Sequence, residues 1–292
     1  MMPRILDVLP RPVAWVFTSG GGRAAAQVGM AEVLLEQDYR PDLLIGSSFG
    51  AINAAALADS QPGHTRLREG WHNLGELSIF SSPGTAAVRG LGPRGNKHVR
   101  QFHTLIADLL QADEKTPIPP DVTVVASNLA DGSPHPIANG PLVPAVAAAC
   151  TMPILLPPVQ VGGEYLVDGG LSAAAPVRQA ARVGAASIVL LDTGTSAVPE
   201  HEVLDMRWWQ VAALSYNHQI RSQIGYALPA VAEKMPIAVI SSDEGSILDF
   251  SDPDEQFHVG RRVAATALAR DLRNQDLSQP GIHGVLARDR QH

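Results

Sequence analysis

Twice in its first sixty residues the chain passes from a short apolar run, through a tight glycine-containing turn, into a helix-forming segment. Residues 13–17 end at Thr18-Ser19-Gly20-Gly21-Gly22, and helix formers with Val28, Leu34 and Leu35 occupy 24–37. After Pro41, Leu43-Leu44-Ile45 breaks at Gly46-Ser47-Ser48-Phe49-Gly50, and 51–58 reads as a second helix. An unbroken apolar run bounded by turn signals is a strand with no solvent face. Alternation of such strands with helices predicts a parallel sheet covered on both sides.

The rest of the chain fits that plan. Further strands are predicted at 122–126, 188–191 and 237–240, and a hairpin at 159–161 and 165–167 turns through Gly162-Gly163. Helices are predicted at 99–110, 143–150, 177–183 and 203–226, the last as one helix or a pair. Another opens at Ser251-Asp252-Pro253 and runs to about residue 272. Residues 61–120 carry scattered glycine and proline and read as an excursion or partial cap over the sheet. The expectation is an α/β fold with a mainly parallel central sheet flanked by helices. One domain spans 1–274, and 275–292 is a polar, disordered tail.

Composition narrows the function. With 292 residues, 45% hydrophobic and 17% charged, the chain can bury a sizeable core. A net charge of -7 argues against a nucleic-acid partner and against strong docking onto anionic membranes. The basic stretch Arg89, Arg94, Lys97, His98 and Arg100 reads as solvated surface. A single cysteine, Cys150, forms no internal disulfide and fits a reducing cytoplasm. Residues 1–11 lack an apolar signal-peptide core, and no apolar run approaches the roughly 20 residues of a membrane span.

Three short motifs carry chemistry. Gly46-Ser47-Ser48-Phe49-Gly50 lies between a predicted strand and a predicted helix, the context of a nucleophile elbow with Ser48 at its centre and Ser47 beside it. A serine N-cap at an ordinary strand-to-helix turn would look the same. Gly20-Gly21-Gly22-Arg23 also sits where a strand meets a helix, where unpaired N–H groups suit an anion or a developing oxyanion. A dinucleotide-binding loop would instead place an acidic residue at the end of the second strand, which here reads Gly46-Ser47-Ser48. Asp168-Gly169-Gly170 follows Tyr165-Leu166-Val167 and, alone, is a turn.

In this order and spacing, the three motifs resemble the patatin-like phospholipase family, especially its compact bacterial members. The segments 42–54, 145–158, Asp168-Gly169-Gly170-Leu171 with Ala175-Pro176-Val177, and 181–185 extend the resemblance across roughly residues 13–193. The resemblance implies a three-layer sandwich and a lipid acyl hydrolase acting on phospholipid, lysophospholipid or other acyl esters. It assigns Ser48 as nucleophile and Asp168 as direct proton acceptor, with Gly20, Gly21 and Arg23 at the oxyanion turn. Gly46 and Gly50 flank the elbow, and Gly169 and Gly170 support the aspartate. It implies no cofactor; no metal-ligand spacing is present in the sequence. Its partners would be a lipid or ester substrate and, transiently, a membrane surface. Ser19 and Ala24 stand where the family carries glycine, so strain or a shift in the turn is expected there.

Two other readings compete. An α/β-hydrolase triad would join Ser48 to Asp192 and to His258 or His283, although the elbow comes early and His258 falls in a predicted helix. Alternatively, the fold serves as a weakly active regulatory or binding module. An acyl groove could draw on Phe49, Ile154, Leu155, Leu204, Met206, Trp208 and Trp209, all of which also suit an ordinary core.

Overall fold

In the computed structural model, residues 4–58, 63–77, 95–153, 155–194 and 205–286 are described, apart from the side chains of 63–65, 95–98 and 209. Strand β1 (Val13–Phe17) is buried along its whole length. Its side chains alternate: Trp15 and Phe17 enter the core on one face, Ala14 and Val16 that on the other. β1 pairs in parallel with β2 (Leu43–Ser47), and β2 with β3 (Val122–Asn128). β4 (Pro134–Ile137) lies antiparallel on β3. So does β6 (Glu164–Val167), which is joined in the expected hairpin to β5 (Val159–Val161). On the other side of β1 come β7 (Ser187–Asp192), β8 (Pro236–Ser241) and β9 (Gly281–His283), all parallel. The order is β5-β6-β3-β2-β1-β7-β8-β9.

Among the described residues, six helices cover one face. They are α1 (Ala25–Glu36), α2 (Phe49–Leu57), α3 (Gly63–Glu76), α4 (Gly95–Leu110), α5 (Leu142–Ala149) and, after β8, α8 (Pro253–Thr266). The other face is covered by α6 (Val177–Arg182) and the long α7 (Trp208–Ala232). This is the expected three-layer α/β arrangement. No helix among the described residues is long and apolar enough to cross a membrane.

The structure departs from the sequence reading at four places. Part of the stretch read as irregular is α3. Gly70 is accommodated there because a Cβ would collide with the Leu109 side chain of α4. β4 contains Pro134 and Pro136, which a strand tolerates only at its margins. α7 is a single helix, one of the two expected alternatives, but lies at Trp208–Ala232 and carries Pro229 within its last turn. Part of the expected disordered tail is β9, held parallel to β8. Of the basic stretch, residues 89–94 and the side chains of Lys97 and His98 lie outside the described residues.

Candidate active site

Strand register brings together two residues separated by 120 positions. Ser47 pairs with Val125, and Val167 pairs with Ser127. Ser48 and Asp168 are each the next residue, so both fall level with Ala126, on the edge of β3 opposite β4. This is the carboxyl end of the parallel strands, where open α/β sheets place their sites. The Ser48 hydroxyl donates a 2.6 Å hydrogen bond to Asp168 Oδ2.

Ser48 sits in a backbone state that L-residues rarely adopt, with φ 54° and ψ −138°. Such strain costs about 1–3 kcal/mol and persists only where the surroundings over-determine it. Here hydrogen bonds and close backbone packing hold it. The Ser48 carbonyl accepts an N–H from the first turn of α2, that of Ala51 at 2.8 Å, and the Cys150 thiol at 2.9 Å. Gly50 packs so closely on the end of β1 that a Cβ would stand 2.6 Å from the carbonyl oxygens of Phe17 and Thr18. A Cβ on Gly46 would lie 2.3 Å from the Gly50 carbonyl oxygen. Ser47, the neighbouring serine, is buried and not hydrogen-bonded to Asp168.

Asp168 is fully buried. Its Oδ1 accepts the Gly170 N–H at 2.8 Å and the Tyr216 hydroxyl at 2.7 Å, so its two oxygens face different partners. Burial pushes the carboxyl above its usual range, opposed by the hydrogen bonds from Ser48, Tyr216 and Gly170. Burial and the adjacent carboxylate push the Tyr216 phenol well up, so it stays a donor. The Asp168 main chain is fixed as well: its N–H donates to the Thr151 carbonyl at 2.9 Å, and its carbonyl accepts the Ser127 hydroxyl at 2.8 Å. Gly169 lies against the ends of β3 and β2, where a Cβ would be 1.9 Å from the Val125 carbonyl oxygen.

The glycine turn lies at the end of β1. Ser19 N–H donates to the Ala174 carbonyl at 2.8 Å and Gly22 N–H to the Ile247 carbonyl at 3.0 Å. Among the described residues, the N–H groups of Gly20 and Gly21 have no such acceptor. Positive φ falls on Gly21, at 56°. Ser19 and Ala24 carry no left-handed backbone, so the two departures from glycine strain nothing. Arg23 is buried, with its guanidinium donating to Asn217 Oδ1 at 2.7 Å. Burial brings it down to about 10, against the raising field of Asp192. Its side chain ties the turn to α7.

The triad alternative does not assemble. Ser48 bonds Asp168 with no histidine between. Asp192 ends β7 buried and accepts the Ser241 hydroxyl at 2.6 Å. His258 is exposed on α8, and His283 lies on β9 against the Gln279 carbonyl. Among the acyl-groove candidates, Phe49 is core, ringed by Trp71, Phe102 and Phe250. Leu155 is buried, Met206 half-buried and Trp208 exposed. Ile154, Leu204 and the Trp209 side chain lie outside the described residues. Among the described residues, no cluster of His, Cys, Asp or Glu could hold a metal ion.

Sequence reasoning missed Tyr216, Asn217 and Gln223. All three lie on α7, and Gln223 Nε2 donates to the Leu171 carbonyl at 2.7 Å. Their spacing along a helix was the available signal, since Tyr216, Ile220, Gln223 and Ile224 recur at intervals of three and four.

The sequence profile described as Patatin-like phospholipase matches residues 15–181. An uncharacterized NTE family protein of Mycobacterium tuberculosis is 30% identical over 216 residues, covering 72% of this chain and 56% of the relative. Lysophospholipase nte1 of Aspergillus terreus is 27% identical over 188 residues, 63% of this chain and 12% of the relative. The chain spans about half the length of the mycobacterial relatives it matches, 56% and 46%. Among solved structures, VipD from Legionella pneumophila matches with a TM-score of 0.49 and 13% identity, over 89% of this chain and 67% of that one.

Proposed function

This chain belongs to the patatin-like phospholipase family, and from that premise we propose that it is a serine acyl hydrolase that cleaves carboxylic esters of lipids through Ser48 and Asp168. The observation that carries this reading is the direct 2.6 Å hydrogen bond from the strained elbow serine to a fully buried carboxylate.

In the proposed cycle, Ser48 Oγ attacks the ester carbonyl carbon and its proton passes to Asp168 Oδ2. An exposed aspartate, with a pKa near ~3.9, would be a feeble base. Burial strengthens Asp168, and its raised affinity for the proton is what acceptance from an alcohol requires. The carbonyl oxygen becomes an oxyanion facing the N–H groups of Gly20 and Gly21; losing one such donor typically costs about 3 kcal/mol. As the tetrahedral intermediate collapses, the leaving alcohol takes the proton from Asp168 and the acyl group stays on Ser48. Water then attacks the acyl carbonyl and gives a proton to Asp168. Collapse returns that proton to Ser48 and releases the fatty acid. Every proton is accounted for by one carboxylate.

The name of the Aspergillus relative favours lysophospholipids, with their single acyl chain, as the first substrates to test. Incubation with a fluorophosphonate and mass mapping tests the nucleophile: the expected product is phosphonylated Ser48, absent in Ser48→Ala. Release of fatty acid from a lysophospholipid should likewise survive excess EDTA. Modification at another residue, or wild-type turnover by folded Ser48→Ala, would remove the assignment.

A further inference from the structure

One face of α7 carries Tyr216, Asn217, Ile220, Gln223 and Ile224. The two isoleucines enter the core beneath the sheet. The three polar residues each hold a loop of the site. Tyr216 bonds Asp168, Asn217 accepts from Arg23 of the glycine turn, and Gln223 takes the Leu171 carbonyl and the Ala174 N–H.

The two oxygens of Asp168 are not equivalent. Oδ2 meets the Ser48 hydroxyl, while Oδ1 accepts from Gly170 and Tyr216. A carboxylate held on one oxygen alone can turn about its last side-chain torsion, which is broad. Donors on Oδ1 remove that freedom. Tyr216 reaches Oδ1 across the bare Cα of Gly170. A Cβ at Gly170 would stand 2.7 Å from the Tyr216 hydroxyl and 2.9 Å from Asp168 Oδ1. The second glycine after the aspartate therefore clears the path for a phenol on another element.

We propose that Tyr216 is a positioning residue for the base: its hydroxyl holds Asp168 Oδ1 so that Oδ2 stays turned to Ser48 through turnover. The proposal rests on the Ser48–Asp168 reading above. It has a signature that packing alone does not produce. Facing the carboxylate are Ser48 from the start of α2, the Gly170 N–H of its own loop, Tyr216 from α7 and the Cys150 thiol at the end of α5. Burial raises both the thiol and the phenol well above their usual values, so Asp168 alone changes charge in the working range. The Tyr216 donor favours the ionised carboxylate. Without it, Asp168 holds its proton to higher pH, and the acid limb of activity moves upward.

The test is the rate of Ser48 phosphonylation by a fluorophosphonate as a function of pH, which needs no natural substrate. It is measured in wild type, Tyr216→Phe and Gly170→Ala, with Ser48→Ala as the blank. Tyr216→Phe keeps the ring and removes only the donor; Gly170→Ala keeps the donor and obstructs its path. In both, the acid limb should shift upward by about one pH unit, the size expected for a lost hydrogen bond to a charged group. A folded Tyr216→Phe whose rate falls equally at every pH, with the limb unmoved, overturns the proposal and leaves the dyad standing. Should Tyr216→Phe not fold, the limb of Gly170→Ala decides in its place. Absence of Ser48 labelling in wild type overturns the dyad reading and this inference with it.

Discussion

On one face of the sheet, Trp15, Phe17, Phe49, Trp71, Phe102 and Phe257 are packed among α1 to α5 and α8. The buried polar groups around Asn53 there bond main chain and one another. Gln27 donates to the carbonyls of Thr18 and Leu191, Asn53 to Ala24 and Gln27, and the Trp71 indole to Asn53. None of these side chains titrates. On the opposite face, α7 meets the sheet with smaller apolar groups and sends Tyr216 to a carboxylate and Asn217 to a guanidinium. Around Asn53 the first face fixes backbone; α7 on the other touches the ionisable groups Asp168 and Arg23. Damage to the first should therefore read out mainly in stability, and damage to the second in rate and pH dependence.

The largest expected effects lie at the junction of the two faces. Ser48→Ala and Asp168→Asn should each lower ester hydrolysis by on the order of 10⁴-fold, because a neutral amide accepts no proton and no second base shares the loss. The stability effect of Asp168→Asn has a definite sign. The Asp168 pKa is raised in the folded chain, so its contribution is fully present below the unfolded pKa and is lost as pH rises through the folded one. At pH 8, Asp168→Asn should melt at or above wild type; below the unfolded carboxylate pKa of ~3.9 that advantage should vanish. Calorimetry at both pH values checks this. A variant that melts well below wild type at pH 8 would mean the charged carboxylate stabilises the fold, erasing the distinction between the faces.

Next in size is Gly21→Ala. The φ of 56° disfavours any side chain, and a Cβ would stand 2.0 Å from the Ile247 carbonyl oxygen. The turn must move, and with it the proposed Gly20 and Gly21 donors. Turnover should fall by about 10²-fold, the cost of one oxyanion donor. Unlike in Tyr216→Phe, the acid limb should stay in place, since the base is untouched. An altered limb would show that the turn and Asp168 titrate as one unit.

How much of this was legible follows the range of the interactions. The elbow, the glycine turn and the hairpin leading to Asp168 are each set within a few residues, so their apolar runs and glycines can be read directly. α3 was obscured by Gly63, Gly70 and Gly75, which weaken a helical pattern; Gly70 is explained by Leu109 on α4, far along the chain. β4 was hidden by its two prolines, and β9 by being three residues long. Tyr216, Asn217 and Gln223 were missed for a different reason. On a helix, polar residues beside apolar ones look like its solvated edge, and only the fold shows that this edge faces Asp168, Arg23 and the loop after the base.

A smaller effect, confined to stability, is expected from Asn53→Ala. It leaves the Trp71 N–H, the Ala24 carbonyl and one side of Gln27 without their partner in a buried site. The expected loss is about 3 kcal/mol, from two or three unsatisfied groups. Urea titration measures it. The pH profile of Ser48 labelling, per folded molecule, should keep its acid limb. A shifted limb would couple the Asn53 network to the titration of Asp168.

The smallest expected change is His258→Ala, and it discriminates most sharply for its size. His258 lies on the exposed side of α8, whereas Ser48 and Asp168 are buried and already bonded to each other. An exposed helical side chain of this kind is worth within about 0.5 kcal/mol of stability. With no contact to the reacting groups, its removal should alter turnover by less than about twofold, a change of roughly 0.4 kcal/mol in the barrier. In a serine–histidine–aspartate mechanism the same substitution would remove the general base and cost several powers of ten. Initial rates for His258→Ala and Asp168→Asn, measured side by side on folded protein, therefore separate the two chemistries by their ratio. A dyad predicts that nearly all the loss lies in Asp168→Asn. The reverse ordering would require α8 to turn inward and displace its Phe257 from the core, with a simultaneous loss of stability that the same samples would reveal.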